Sequence, residues 1–332
     1  GVLRYFMSNS VKIINDWKKG VFSPVYWFEG DESYFIDQLL DYAEHKILSE
    51  TEASFNLTIH YGKDSTWQEV VNSCMKYPMF AERQLVILKE AQQLKELDML
   101  ENYISKPLSS TIFIVAHKHK KIDGRTKLSK VLKKYTVHLN FEKVKEHRLF
   151  EVVHDQILSK GLTVTDKALL MLIENIGSDL SRINNELEKI IINLGGKKEI
   201  TEGLVEEFIG ISKDYNVFEL KASLAAKNIP KSLKIIQYFI ANPKSGSIHS
   251  VIPVLYSFFS GTLLVTQLKG MSPKEMEAET GLNYYGVKDA LQAIRHYNVE
   301  QLEKIIILLH HFNLRSLGVG DTGSSDPALL KE

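Results

Sequence analysis

Apolar residues along this chain recur with two different periods, and the point where one gives way to the other divides it. Val25, Tyr26, Trp27 and Phe28 form a short aromatic and β-branched run closed by Gly30, which reads as a buried strand. From Asp31 the period lengthens, with Ile36, Leu39, Leu40, Ala43 and Ile47 on one helical face. Residues 55–61 read as a second strand. Thr66 and Glu69 then make a capping box that opens a helix with Trp67, Val70, Val71 and Cys74 on its apolar face. Residues 85–88, 111–116 and 137–141 read as further strands, with a helix around 95–104. Strands alternating with helices of this length predict a mainly parallel sheet covered on both faces, because parallel strands need crossover connections.

After Lys143 the strand signals stop. Residues 148–159, 165–175 and 178–194 read as helices, the last carrying Leu180, Ile183, Leu187, Ile190, Ile191 and Leu194 on one face and ending at Gly195-Gly196. Residues 201–209 add a short fourth element. From Asn216 onward the chain is again helical, interrupted by turn residues around Pro230, Pro243 and 269–273. Its closing helix, 299–314, places Leu302, Ile305, Ile306, Leu309 and Phe312 on one face. The expected order is an α/β domain over 1–142, a small helical domain over 143–210 and a larger helical domain over 211–332.

Composition narrows the function classes. A chain of 332 residues with 44% hydrophobic content builds two or three cores. Lys+Arg and Asp+Glu are both 41, so any contact with nucleic acid must be local rather than a whole-chain field. One cysteine, Cys74, leaves no internal disulfide framework and too few thiols for a cysteine-rich zinc site, which points to the cytosol. The most apolar stretch, 248–268, carries His249, Pro253 and Gln267 and reads as a buried helix rather than a membrane span. The chain is expected to be soluble and cytoplasmic, with no secretion signal at its start.

An α/β domain followed by a small helical one is the layout of many AAA+ ATPases, so the turn after the first strand is where a phosphate loop would lie. Such a loop needs G-x-x-x-x-G-K-[ST], because backbone N–H groups must wrap the phosphates while the lysine reaches their oxygens and the hydroxyl ligates Mg²⁺. Here the turn runs Glu29-Gly30-Asp31-Glu32-Ser33-Tyr34-Phe35, with one glycine, no lysine and three carboxylates that would repel a triphosphate. After 85–88, Lys89 stands where a Mg²⁺-holding aspartate is needed. No H-E-x-x-H, C-x-x-C or G-x-S-x-G occurs, and His117-x-His119 and His310-His311 read as exposed histidines outside zinc-ligand spacing. The residues point to no cofactor, no metal and no catalysis.

The turn from Phe28 to Phe35 resembles the degenerate turn that opens the delta subunits of the bacterial DNA polymerase III clamp loader. Further stretches are similar to that family in the same order: Pro78-Met79-Phe80-Ala81-Glu82-Arg83-Gln84-Leu85-Val86, the basic stretch Lys120 to Leu128, Asp179-Leu180 through Lys189, and Val217-Phe218-Glu219-Leu220. The resemblance implies an AAA+-like (RecA-type) domain without a functional phosphate loop, a helical lid and a C-terminal helical collar. It also implies a mechanical task within a polymerase holoenzyme, binding and opening the sliding clamp (the beta subunit) without ATPase activity. The implied partners are the clamp, gamma/tau and delta-prime type subunits through the collar, and primed DNA within the assembled complex.

In that family a loop of the first domain inserts apolar side chains into a pocket of the clamp. Carried over, they are Met79 and Phe80, with Tyr77 and Pro78 shaping the approach. The residues agree, because Pro78 disfavours helix at Tyr77 and leaves Met79 and Phe80 on a loop before a strand. The alternative is that both pack on the domain's own core. Met75 stands where the family's segment can begin with glutamine, which puts polar contacts there in question. Lys120, Lys121, Arg125 and Lys127 belong to the one concentrated basic run, which reads either as a surface for DNA phosphates or an acidic partner or as a solvated face. Two other functions remain open, an ATP-binding AAA+ replication or repair ATPase and a DNA-binding replication factor acting alone.

Overall fold

The computed structural model describes residues 2–243, 245–319, 323 and 325–332 and divides into two compact units, Gly1–Lys143 and Val144–Glu332. In the first unit the chain runs α1 (Val2–Lys18), β1 (Val25–Gly30), α2 (Ser33–Tyr42), α3 (Glu50–Asn56), β2 (Leu57–Tyr61), α4 (Trp67–Cys74), β3 (Gln84–Lys89), α5 (Glu101–Ser105), β4 (Thr111–Lys118), α6 (Lys127–Tyr135) and β5 (Val137–Asn140). All five strands are parallel in the order β2-β3-β4-β1-β5, as the alternation of elements predicts.

Strand periodicity sorts the core into two layers. Val25 and Trp27 of β1, Val86 and Leu88 of β3, and Phe113 and Val115 of β4 pack with Val70 and Cys74 of α4, Ile104 of α5 and Leu128 and Leu132 of α6. Alternate residues serve the other face, where Trp17 of α1 meets Tyr26 edge-on at 5.3 Å and stacks on Tyr42 at 6.0 Å. Cys74 is free and buried, and burial pushes its thiol well above its ordinary range, the behaviour of a packing residue rather than a nucleophile.

Two readings of this unit change. The 55–61 strand begins only at Leu57, because Ser49 and Glu52 form a capping box that nucleates α3, and α3 carries Phe55 and Asn56 as its last turn. His117 is not an exposed histidine: it is 3% exposed near the end of β4 and stacks on Trp27.

The second unit comprises α7 (Glu146–Ser159), β6 (Thr163–Val164), α8 (Asp166–Ile176), α9 (Leu180–Ile192), β7 (Glu199–Ile200), α10 (Glu202–Ile209), α11 (Val217–Ala225), α12 (Ile229–Ala241), α13 (Ile248–Val265), α14 (Pro273–Thr280), α15 (Tyr284–Ala293), α16 (Val299–Ser316) and α17 (Asp326–Lys331). Strands do not stop at Lys143, since β6 and β7 pair in parallel, each only two residues long and too short to show a period. Helix α13 is long and apolar enough to cross a membrane, and half of it is buried in this unit's core, which reaches Leu220, Val287 and Leu302.

Candidate functional site

The segment between α4 and β3 is held at both ends and exposed in the middle. At its start, α4 opens with the predicted capping box: Glu69 N–H donates to Thr66 Oγ1 at 3.2 Å, and Thr66 N–H donates to Glu69 Oε2 at 2.9 Å. The carbonyls at the end of α4 are collected by Gln84, whose Nε2 faces Ser73 O at 3.0 Å, Cys74 O at 3.3 Å and Lys76 O at 2.5 Å. Gln84 Nε2 also donates to Thr111 Oγ1 at 2.8 Å, and that hydroxyl donates to Cys74 O at 2.7 Å. A buried glutamine thus shares its two amide hydrogens among the oxygens gathered at the helix end and ties that end to β3 and β4. At the far end of the loop, the Arg83 guanidinium lies 5.1 Å from the centre of the Phe22 ring.

Between these fixed points the apolar side chains point outward. Tyr77 is 77%, Met79 54% and Phe80 88% exposed, while Pro78 is half-buried. Met75, at the end of α4, is also exposed. Self-packing of Met79 and Phe80 on the domain's core is therefore not what the fold does with them. Phe80 has φ +56°, a left-handed conformation uncommon for a bulky residue. Asn56, 23 positions away, meets the backbone on both sides of Met79: Met79 N–H donates to Asn56 Oδ1 at 2.7 Å, and Asn56 Nδ2 donates to Met79 O at 2.8 Å. Phe55, itself exposed, lies edge-on to Phe80 with ring centres 5.9 Å apart.

Sequence reading missed Asn56, Phe55 and Gln84. Their signals were present but misassigned, since Phe55 and Asn56 sat inside a run taken for strand. Nothing local in the sequence marks a bond that spans 23 residues.

The basic residues form a separate site. In a parallel sheet, the loop entering β3 and the loop leaving β4 lie at opposite ends of the strands. Met79 and Phe80 lie at the first end; Lys120, Lys121 and Arg125 lie at the second, with Lys127 opening α6. Lys120 and Lys121 are exposed, whereas Arg125 bonds Asp123 at 2.8 and 3.1 Å and Lys127 pairs with Glu101 at 2.9 Å. Two of the four cations thus have acidic partners already.

The same end of the strands holds the turn after β1, and it is closed by protein. Glu32 N–H donates to Phe141 O at 3.0 Å, and Phe141 N–H donates to Glu29 O at 2.8 Å. Gly30, at φ +120°, passes so close to the backbone just after β5 that a Cβ would lie 2.3 Å from Phe141 O. Its glycine is required by this backbone approach rather than by a bound phosphate. The Glu29 carboxylate, 2% exposed, is hydrogen-bonded to His138 Nε2 and accepts the Ile122 N–H at 2.6 Å. Lys89 is engaged with Glu44 at 2.9 Å.

Beside this turn, His117 Nδ1–H donates to Lys120 O at 2.8 Å. Burial holds its pKa below the ordinary 6.5, outweighing the opposing Lys120 carbonyl and Glu29. Since the folded pKa is lowered, His117 contributes stability that is complete above the unfolded value and lost as pH falls below it; His60 and His147, also lowered mainly by burial, act in the same direction. The thermal midpoint is expected to fall between pH 7 and 5, and His117→Gln to flatten that slope. A slope identical in the variant removes His117 from the account.

Comparison with known proteins gives a consistent picture. The family model described as DNA polymerase III, delta subunit, matches residues 26–142, and that described as DNA polymerase III delta subunit, C-terminal domain, matches residues 214–315. The DNA polymerase III subunit delta of Bacillus subtilis (strain 168) is 24% identical over 330 residues, covering 95% of this chain and 92% of its own. The probable DNA polymerase III subunit delta of Aquifex aeolicus (strain VF5) is 24% identical over 279 residues, covering 80% of this chain and 76% of its own. Among solved structures, the Bacillus subtilis DNA clamp loader delta protein superposes with a TM-score of 0.59 at 22% identity, covering 97% of this chain and 96% of that one. At that identity the structural likeness speaks for a shared fold.

Proposed function

Because this chain belongs to the DNA polymerase III delta subunit family, we propose that it binds the sliding clamp through Met79 and Phe80 and holds it open for loading onto primed DNA, without hydrolysing ATP itself. The observation that carries this reading is the presentation of Phe80, 88% exposed on a loop fixed at both ends. A large ring kept out of the core on an ordered loop has the form of an interface anchor, and the adjacent methionine adapts to an irregular pocket. Tyr77 and Pro78 shape the approach. Met75 supplies apolar contact where a glutamine would supply hydrogen bonds.

The closed turn after β1 supports a role in contact rather than hydrolysis. Its Glu32 N–H is bonded to Phe141 O, and its sequence carries the carboxylates Glu29, Asp31 and Glu32. The remaining assignments follow from the family: a lid over 143–210 and a collar over 211–332 that joins gamma/tau and delta-prime type subunits in the bacterial cytoplasm. The C-terminal family match beginning at residue 214 supports the second boundary. Lys120 and Lys121 are the cations best placed for primed DNA within the assembled complex, their neighbours Arg125 and Lys127 being paired.

A pull-down of purified clamp by this chain without nucleotide tests the reading, with capture expected. Titration calorimetry with Mg-ATP at physiological concentration is expected to give no binding heat. Saturable heat would favour an ATP-binding relative instead, and duplex affinity of the isolated chain that falls steeply with salt would favour an independent DNA-binding factor.

A further inference from the structure

We infer that the dipeptide ending α3 completes the anchor: Asn56 is a positioning residue that presets the backbone at Met79, and Phe55 is a third apolar contact beside Phe80. This rests on the clamp-binding reading above and names residues to which the family match assigns no role.

Asn56 is 3% exposed and uses its amide fully toward the backbone, donating to Glu52 O at 3.0 Å and to Met79 O at 2.8 Å while accepting from Met79 N–H at 2.7 Å. An amide turned the other way would set donor against donor and acceptor against acceptor, so the network admits one orientation. Bonds to both the N–H and the C=O of Met79 fix the two peptide groups that flank it, and with them the direction in which Phe80 leaves. A buried side chain here grips the backbone of a residue whose own side chain stays exposed.

The left-handed Phe80 follows from that grip. A bulky residue keeps φ near +56° only where its surroundings over-determine it, and such strain clusters where a chain presents a group to a partner. Phe55 contributes from the side. Its ring is 58% exposed and meets Phe80 at an interplanar angle of 72°, an edge-on contact that restrains both rings while leaving their outer surfaces to a partner. A loop ordered before encounter loses less conformational freedom on binding, so the dipeptide acts on affinity through preorganisation.

The test uses the full chain and the purified clamp, with Asn56→Ala and Phe55→Ala made alone and on a Met79→Ala, Phe80→Ala background. In the free chain the Met79 amide is expected to be protected from hydrogen exchange, and Asn56→Ala to speed that exchange about 10-fold or more. Clamp affinity is expected to fall about 10-fold with Asn56→Ala and about 3-fold with Phe55→Ala, and the Asn56→Ala loss is expected to vanish once Met79 and Phe80 are alanine, whereas a direct Phe55 contact keeps part of its effect. Asn56→Asp, which keeps the acceptor for Met79 N–H but sets a buried carboxylate oxygen against Glu52 O and Met79 O, is expected to lose at least as much as Asn56→Ala. Equal losses with Asn56→Ala on both backgrounds would overturn its positioning role in favour of general destabilisation, and no loss with Phe55→Ala on the unaltered background would overturn its contact. A Met79 amide unprotected in the unaltered chain would overturn the clasp, whatever the affinity for the clamp. Clamp affinity unchanged in the Met79→Ala, Phe80→Ala chain would overturn the clamp reading and Phe55's contact with it. Should Asn56→Ala not fold, exchange in the unaltered chain and the exposed substitution Phe55→Ala still decide.

Discussion

Replacing Met79 and Phe80 together by alanine is expected to weaken clamp binding by roughly 2–4 kcal/mol, about 30- to 1000-fold in Kd, while leaving the fold intact. The binding loss is large because these side chains have most of their surface still to bury, Phe80 being 88% and Met79 54% exposed, and burying a large apolar side chain is worth about 1.5–3 kcal/mol. The fold is spared for the same reason, since neither residue belongs to the buried core of its unit. Competition binding at fixed salt, with thermal melts of both chains, checks both halves. Unchanged affinity would sink the site assignment, and a collapsed melting temperature would mean that the loop supports the fold more than its exposure indicates.

The second large effect lies in the helical unit. Lys221→Met is expected to destabilise it by about 3–5 kcal/mol, because it leaves a buried carboxylate without its cation. Lys221 and Glu174 are paired, with side chains only 5% and 9% exposed, and the Phe218 and Phe258 rings lie 5.8 and 5.9 Å from the ammonium. Removing the whole pair is expected to be far milder, so Lys221→Met with Glu174→Leu should recover most of the loss. Denaturant unfolding of the single and double variants measures this. A double variant as unstable as the single would show that the hydrocarbon packing of Lys221, not its charge, matters.

Asp289 gives that prediction a pH dependence. Burial raises its carboxyl above the ordinary range and Lys221 opposes the rise, so losing the lysine raises it further. For an acid with a raised folded pKa, the stability is present at low pH and lost as pH rises through the folded value. The deficit of Lys221→Met is therefore expected to be larger at pH 7 than at pH 5.

Much of this architecture is legible in the sequence because it depends on local periodicity and local chemistry. Alternation of short β-branched runs with helical stretches specified a covered parallel sheet, and Thr66 with Glu69 marked the start of α4 with both reciprocal bonds in place. Pro78 put Met79 and Phe80 on a loop. The missing phosphate-loop lysine and the presence of Lys89 are legible as residue types alone. Where a period needed more residues than the element possessed, reading failed, as with β6 and β7. Where two periods overlapped, the boundary slipped, as at Phe55 and Asn56.

What the sequence by itself determined, then, is the class of each unit, the family and the loop that carries the exposed pair. Tertiary structure alone decided which way that loop faces and what holds it, because the clasp of Asn56 on Met79 and the pairing of Lys221 with Glu174 join residues 23 and 47 positions apart. It also decided the meaning of Gly30, which the sequence placed only in a turn unsuited to phosphate and whose neighbour in space is the carbonyl of Phe141. Periodicity records which face of an element avoids water, and each residue carries that record on its own. A hydrogen bond or an ion pair between distant segments exists only once packing has brought both partners to one place, and single positions in the chain do not encode it separately.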